Sequence, residues 1–192
     1  KDARRWISKT SSKYDAIIVN TPDPSNAQIN RYYTLEFFAE TKNALRRNGV
    51  LSVSLSPTMN YMSEGAKEIN SVIYQTLKKV FQQVLVIPGE RNYFLASDSE
   101  LHLNISKGIA AAGIETEYVN PGYIDDDLLK QNSQLIMREI SGGSARINQD
   151  LSPLAYFLQI NYWLSIWQAK VWGIIILLLL LLLILVLTKS IS

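Results

Sequence analysis

The segment KYDAIIVNTPDPSNAQINRYYTLEFF, residues 13–38, decides the fold of this chain. Residues 16–19 form a continuous apolar run, which is typical of a strand covered on both faces in a parallel sheet. The loop NTPDP (residues 20–24) follows, and its two prolines prevent a strand or a helix from continuing. Because open α/β sheets bind ligands at the carboxyl ends of their strands, the pattern predicts a site around Asn20 and Asp23.

Helices and strands alternate after this loop. The predicted elements are a helix at 30–47 closed by Asn48-Gly49, a strand at 50–55, a helix at 64–81, a strand at 84–87, a turn at 88–92 and a strand at 93–96. This order predicts an α/β fold, a partial Rossmann-like parallel sheet with an antiparallel hairpin at its edge. The chain contains no glycine-rich GxGxxG loop, so a dinucleotide-binding dehydrogenase is a distant alternative.

The remaining sequence is read as a helical extension. It is predicted to contain helices at 101–112 and 123–140, with a short strand at 115–119 between them. The expected domains are 1–100, the C-terminal half of the Rossmann-like domain; 101–160, the helical extension; and 161–188, an interfacial and transmembrane helix. Because the chain starts with Lys1 in the middle of such a domain, it is interpreted as a C-terminal fragment.

Residues 171–187, VWGIIILLLLLLLILVL, carry no charge. As a helix they would span about 25 Å, close to the roughly 30 Å of a bilayer core. Trp163, Trp167 and Trp172 stand at the entry to the run, where indole rings favour a membrane interface. The pattern predicts a C-terminal transmembrane helix, a membrane location, and a remaining domain on the cytoplasmic side.

The charge composition argues against a nucleic-acid partner. Nineteen basic and 17 acidic side chains give a net charge of +2, and they are spread along the chain rather than clustered. The absence of cysteine excludes disulfides and thiolate chemistry. We expect no metal site, because the acids at 125–127 lack the spacing of a calcium loop and favour the start of a helix instead.

Among the polar residues, Asp23 is the leading functional candidate. Its carboxylate could pair with a cationic amine or orient that amine as a nucleophile. A turn residue that bonds the loop backbone is an equally good interpretation. Glu90 and Arg91, in the predicted hairpin turn, are most simply solvated, although they would lie near the carboxyl edge of the sheet.

Several stretches together resemble the polyamine aminopropyltransferase (spermidine synthase) superfamily, and in particular its membrane-fused branch. They are DAR (2–4), YDAIIVN (14–20), TPDPSNAQINRYYTLEFF (21–38), GVLSVSL (49–55) and VLVIPGERNYFLASD (84–98). NQDLSPLAYF (148–157) resembles a late Asn-x-Asp motif of that family. The resemblance implies a methyltransferase-like Rossmann fold and transfer of an aminopropyl group from decarboxylated S-adenosylmethionine to a small-molecule amine.

The resemblance also implies roles for individual residues. Asp2 and Ala3 would bind the donor, which acts as a co-substrate, S-adenosylmethionine or its decarboxylated form, and not as a tightly bound cofactor. Asp23, Tyr33 and Asp150 would bind the acceptor, and a homodimer is left open.

Two departures from the family pattern keep a second function open. Asn20 stands where the family has the acid that acts as base, and an amide cannot take a proton from an amine. Ser54 stands where the family has a glutamine. The first hypothesis is therefore an aminopropyl or other alkyl transferase that uses Asp23 and Asn20 at its catalytic centre. The alternative is a catalytically inactive sensor or interaction module anchored to the membrane.

Overall fold

The computed structural model describes residues 2–57, 64–164, 167 and 178–179. The chain divides into two compact units, residues 1–159 and residues 160–192. The elements of the first unit are α1 (Ala3–Ile7), β1 (Tyr14–Val19), α2 (Ala27–Asn30), α3 (Leu35–Ala44), β2 (Leu45–Leu55), α4 (Glu64–Val80), β3 (Gln83–Ile87), β4 (Asn92–Ser97), α5 (Ile105–Ala111) and α6 (Asp126–Ser141). Residues 154–159 are also helical. In the second unit, the described residues 160–164, 167 and 178–179 are helical.

Four strands form one mixed sheet in the order β1-β2-β4-β3. β1 and β2 are parallel, whereas β4 runs antiparallel to both β2 and β3. The predicted α/β fold and the hairpin are confirmed. The hairpin lies at the edge of the sheet as predicted, with β3 as the outermost strand and β4 between β3 and β2. The interior position of β4 agrees with the complete burial of Phe94 and Ala96.

The helix predicted at 30–47 is broken into two and ends earlier. α2 and α3 are separate helices, and residues 45–49 already belong to β2. The pairing of β1 with β2 slips between Tyr14↔Leu45 and Ala16↔Val50, which marks a bulge. Gly49 does not end a helix in a left-handed conformation, since Gly113 is the only positive-φ residue of the described chain. Because Gly49 has no Cβ atom, its backbone can instead lie close to the Tyr14 carbonyl oxygen and to the Leu45 side chain.

The core lies between the sheet and the helices α3, α4 and α6. α4 packs against α3, α6 and β3, and α6 packs against β3. Fully buried apolar side chains come from both layers: Phe38, Ile73, Leu77 and Ile140 from the helices, and Leu51, Val53, Val86 and Phe94 from the strands. Burial of such side chains stabilises the fold by about 1.5–3 kcal/mol each.

β1 is less covered than its apolar sequence predicted. Ile18 is 75% exposed, and Ala16 is also exposed. Within the described residues β1 has β2 as its one hydrogen-bonded neighbour, so it is an edge strand there. The prediction of a strand buried on both faces is therefore wrong for this chain.

The helical extension differs from the prediction at its start. α5 begins at Ile105 rather than 101, and no strand forms at 115–119, where the backbone bends. α6 is confirmed in type, with Asp125 as its N-cap residue. The acids at 125–127 thus act at a helix start, as their position in the sequence indicated.

The membrane location predicted from the sequence is corrected here. The span predicted at 161–188 lies largely outside the described residues. No helix within the described part of the chain is both long and apolar enough to cross a bilayer. Hydropathy measures only how strongly a stretch prefers apolar surroundings, whereas a span also needs an unbroken helix of about 20 residues.

Candidate functional site

A rigid loop joins the carboxyl end of β1 to α2. Pro22 and Pro24 fix their own φ angles, and the Ser25 amide donates to the Asp23 carbonyl at 2.6 Å. At the far end, the Asn26 side chain accepts from the Ile29 amide at 2.9 Å and caps α2. The loop is therefore held at both ends, and Asp23 is its central residue.

The Asp23 carboxylate points into the protein and contacts the end of β2. Its two oxygens lie 3.1 and 3.3 Å from the Ser56 amide, which donates to them. Nη2 of Arg91 donates to Oδ1 at 2.6 Å, forming an ion pair. The Asp23 side chain is 14% exposed and that of Arg91 is 31% exposed. A carboxylate thus lies where β1 and β2 end, as the sequence predicted, but a cation of the same chain already contacts it.

Tyr33 ties this loop to the sheet. Its hydroxyl lies 2.9 Å from the carbonyl oxygen of Ser54 and 3.0 Å from that of Pro22, and it accepts from the Thr21 hydroxyl at 3.2 Å. Burial raises the pKa of Tyr33 to about 12, so the phenol stays protonated at neutral pH. Since Tyr33 is completely buried, what it does directly is position the Asp23 loop.

The Asn20 side chain lies outside the hydrogen-bond network of Asp23, Tyr33 and Arg91. Asn20 follows the last residue of β1 and is exposed, and its side chain forms no hydrogen bond among the described residues. Its amide can donate or accept hydrogen bonds but cannot act as a base. The position is therefore open to a ligand and lacks a proton acceptor.

Asp2 and Ala3 lie at the start of α1. Asp2 is the N-cap residue and accepts from the Arg5 amide at 3.1 Å, while Arg31 donates to both carboxylate oxygens at 2.7 and 2.8 Å. The Arg5 amide bond, and next the Arg31 bond, lower the pKa of Asp2. A cavity of about 410 Å³ adjoins it, lined by Asp2, Arg5, Trp6, Lys9 and Thr10. This cavity does not include Asp23.

Asp150 forms a second charged cluster. Arg4 donates to its two oxygens at 2.8 and 2.6 Å, and the Thr34 hydroxyl donates at 2.8 Å. The bonds from Arg4, opposed in part by burial, hold the pKa of Asp150 below its usual value. Arg4 also binds Glu40 at 3.2 Å. These partners come from α1 and α3, so Asp150 joins helices and does not contact the Asp23 loop.

The structure thus brings Asp23 and Tyr33 together. Asp2 and Ala3 lie instead at the start of α1, and Asp150 lies beside Arg4 and Thr34. Arg91 is the residue that the sequence reasoning missed, since it was expected to be solvated. Besides Asp23, it binds the Ser54 hydroxyl through Nε at 2.9 Å and the Ser54 carbonyl through Nη2 at 3.2 Å. A signal was available: a turn after β3 lies at the same sheet edge as the Asp23 loop.

Comparison with known proteins relates the chain to one family of enzymes. The family model described as the spermine/spermidine synthase domain matches residues 1–100. The chain is 31% identical over 106 residues to a polyamine aminopropyltransferase of Oceanobacillus iheyensis, a match that covers 54% of this chain and 20% of that protein. It is 39% identical over 82 residues to polyamine aminopropyltransferase 2 of Hyperthermus butylicus, covering 42% of this chain and 25% of that protein.

A solved structure shows the same fold. It is a spermidine synthase in complex with the transition state analogue AdoDATO, with a TM-score of 0.54 and 19% identity. The similarity covers 73% of this chain and 49% of that one. This chain therefore corresponds to about half of that synthase, and its matched segments to a quarter or less of the two transferases.

Proposed function

Because the chain belongs to the spermine/spermidine synthase domain family, we propose that it forms part of a transferase that moves an aminopropyl or other alkyl group to an amine. The donor would be S-adenosylmethionine or its decarboxylated form. One observation carries the proposal: the Asp23 carboxylate lies at the carboxyl ends of the parallel strands β1 and β2, where open α/β sheets bind their ligands.

The proposed reaction is a displacement at carbon. The nitrogen lone pair of the acceptor attacks the carbon next to the sulfonium, a C–N bond forms, and the C–S bond breaks with its electron pair passing to sulfur. The amine also loses one proton. Asp23 would hold the acceptor. Tyr33 would fix the position of the Asp23 loop through the contacts of its hydroxyl with Pro22 and Ser54. Asp2 and Ala3 would contact the donor, for which the cavity beside Trp6 offers an apolar wall and a carboxylate.

The lost proton is the difficult step in this chain. An alkylamine has a pKa near 10 and is protonated at neutral pH. Asn20 cannot take the proton, so we propose that the acceptor loses it to water. The transfer rate is then expected to rise with pH toward the pKa of the amine.

The test is an assay of the full-length protein with decarboxylated S-adenosylmethionine and putrescine, with mass spectrometry of the product. Asp23→Asn is expected to abolish transfer while keeping most hydrogen bonds of the loop. Asn20→Asp supplies a base and is expected to raise the rate at pH 7 by about 10²-fold. Asn43→Asp introduces the same charge at an exposed position of α3, outside the proposed site, and is the matched control that should leave the rate unchanged. Lack of transfer to putrescine and to ornithine, by both the wild type and Asn20→Asp, would rule the enzyme out.

A second function is favoured by two specific observations. Asn20 has no base chemistry, and Asp23 is already paired with Arg91. The chain could then be a catalytically inactive member of the family that acts as an interaction module. Transfer by Asn20→Asp and none by the wild type, at any pH, would support this second function.

A further inference from the structure

Arg91 is held in front of Asp23 by three hydrogen bonds. Nε donates to the Ser54 hydroxyl at 2.9 Å, and Nη2 donates to Asp23 Oδ1 at 2.6 Å and to the Ser54 carbonyl at 3.2 Å. The position of Arg91 follows from the strand pairing. Asn92, the residue after Arg91, pairs with Leu55 at the end of β2, and this pairing brings Arg91 close to Ser54 and Asp23. The guanidinium is thus part of the site's architecture.

The Asp23–Arg91 pair still has both hydrogen-bond acceptors and hydrogen-bond donors to offer to a ligand. Within the described residues, Oδ2 of Asp23 accepts one bond, at 3.3 Å from the Ser56 amide, so it has lone pairs to spare. No hydrogen bond of Arg91 Nη1 occurs among the described residues, and nearly a third of the side chain is exposed. A ligand at this point would therefore meet a carboxylate oxygen and guanidinium N–H groups side by side.

Such a pair discriminates between ligands by charge. An ammonium group on its own would be attracted by Asp23 and repelled by Arg91, and like charges placed together at a desolvated contact are costly. A ligand with an ammonium and a carboxylate close together would satisfy both partners. Arg91 can perform the second task because Nη1 carries two N–H groups that no described residue uses, and these can donate to a ligand carboxylate.

We propose that Asp23 and Arg91 together form a clamp for a zwitterionic acceptor, an amine that also carries a carboxylate, and that Arg91 selects against simple diamines. This inference rests on the proposed function, because it assigns the acceptor class of the same site. Arg91 is then the residue that determines specificity, and Asp23 the residue that receives the ammonium.

The experiment compares two probes that differ by one carboxylate, putrescine and ornithine. Binding of each to the full-length protein is measured by calorimetry at pH 7. The wild type is expected to bind ornithine about tenfold more tightly than putrescine. Arg91→Met removes the charge at similar length and is expected to reverse the preference. Arg91→Lys keeps the charge and is expected to keep the preference.

Arg47→Met is the matched control, since Arg47 is exposed at the opposite end of β2 and should leave both affinities unchanged. A thermal melt of each variant confirms that it is folded. Equal or tighter binding of putrescine by the wild type, a ratio that Arg91→Met does not change, or no binding of either probe would overturn the inference. Transfer to putrescine with an unchanged ratio would overturn it while leaving the proposed function in place.

Discussion

At the residue scale, Gly49 is a position at which β2 tolerates a side chain poorly. A Cβ atom there would lie 2.9 Å from the Tyr14 carbonyl oxygen and 2.9 Å from Leu45 Cδ2. Gly49→Ala is therefore expected to destabilise the protein by about 1–3 kcal/mol, because the bulge in β2 has to open. Gly108→Ala is the control, since no atom lies within 4 Å of its added Cβ and the site is in a helix. It should stabilise by about 0.5–1 kcal/mol. Urea unfolding curves of the two variants measure both values.

The Arg4–Asp150 ion pair makes the free energy of unfolding of the protein depend on pH. In the folded protein the pKa of the Asp150 carboxyl group lies below its ordinary value. The stabilisation from the ion pair is therefore present above the pKa that Asp150 has in the unfolded chain, and it is lost as the pH falls through the pKa of the folded state. Asp150→Asn is expected to cost about 1–3 kcal/mol at pH 7, toward the lower end because the side chain is 34% exposed and solvent screens it.

The measurement is the urea midpoint between pH 6 and pH 2. The wild type should lose stability over this range more steeply than Asp150→Asn. Asp15→Asn, at a surface pair with Arg46 in which the Asp15 side chain is 79% exposed, is the control. Parallel curves for the wild type and Asp150→Asn would contradict the prediction.

Single residues of the site were predictable only in part. A carboxylate between two prolines after a strand identified Asp23, because local sequence determines that loop. Its partner Arg91 lies 68 residues further on and reaches it only through the pairing of β4 with β2. No local pattern encodes such a contact, which explains why Arg91 was expected to be solvated.

At the scale of elements, α5 depends on a residue of its neighbour. Asp126, in the first turn of α6, accepts from the amides of Ser106 and Lys107 at 3.0 Å each and from the Ser106 hydroxyl at 2.9 Å. These are amides at the start of α5, which has no side-chain bond from its own N-cap residue. Asp126→Ala should therefore fray α5 and cost about 2 kcal/mol.

Hydrogen exchange of the Ser106 and Lys107 amides reports this fraying. Asp127→Ala is the matched control, because its exposed carboxylate lies 3.7 Å from Lys107 Nζ and bonds no α5 amide among the described residues. Protection of the Ser106 amide that survives Asp126→Ala would show that α5 does not need this cap.

The elements themselves were largely readable from periodicity. α4, β3 and β4 were predicted within a few residues, because apolar spacing and turn residues are local signals. Strand order is not a local signal, and the short apolar runs of β3 and β4 do not say which of them lies inside the sheet. The helix at 30–47 was overextended since its residues 45–47 have helical spacing but pair as a strand.

At the scale of the whole molecule, Asn148 joins distant parts of the first unit. Its Nδ2 donates to Asn30 Oδ1 at 3.0 Å and to the Tyr33 carbonyl at 2.9 Å, and its Oδ1 accepts from the Ala155 amide at 3.0 Å. Asn148→Ala would leave these buried groups without a partner, and we expect a loss of about 3 kcal/mol or more.

The loss should be global, because the partners lie in different elements. Hydrogen exchange is expected to accelerate throughout residues 2–159. Asn120→Ala is the control, since its side-chain bonds stay within one turn, to Thr116, Glu117 and Gly122. A change confined to residues near 148 would contradict the prediction.

The overall class of the molecule followed from the order of its strands and helices, together with the resemblance of stretches between residues 2 and 157 to the synthase superfamily. The membrane location did not follow, because the apolar composition of 171–187 specifies a preferred solvent and not a structure.

Among the described residues no strand pairs with the outer edge of β1, which matters for handling a sample made of these residues alone. A strand that presents Ile17 and Ile18 beside unpaired main-chain N–H and C=O groups is a template onto which another extended chain can add. Concentrated samples of these residues are therefore expected to self-associate by strand addition. A lysine in place of Ile18, which is exposed already, would discourage this association by placing a charge on the edge.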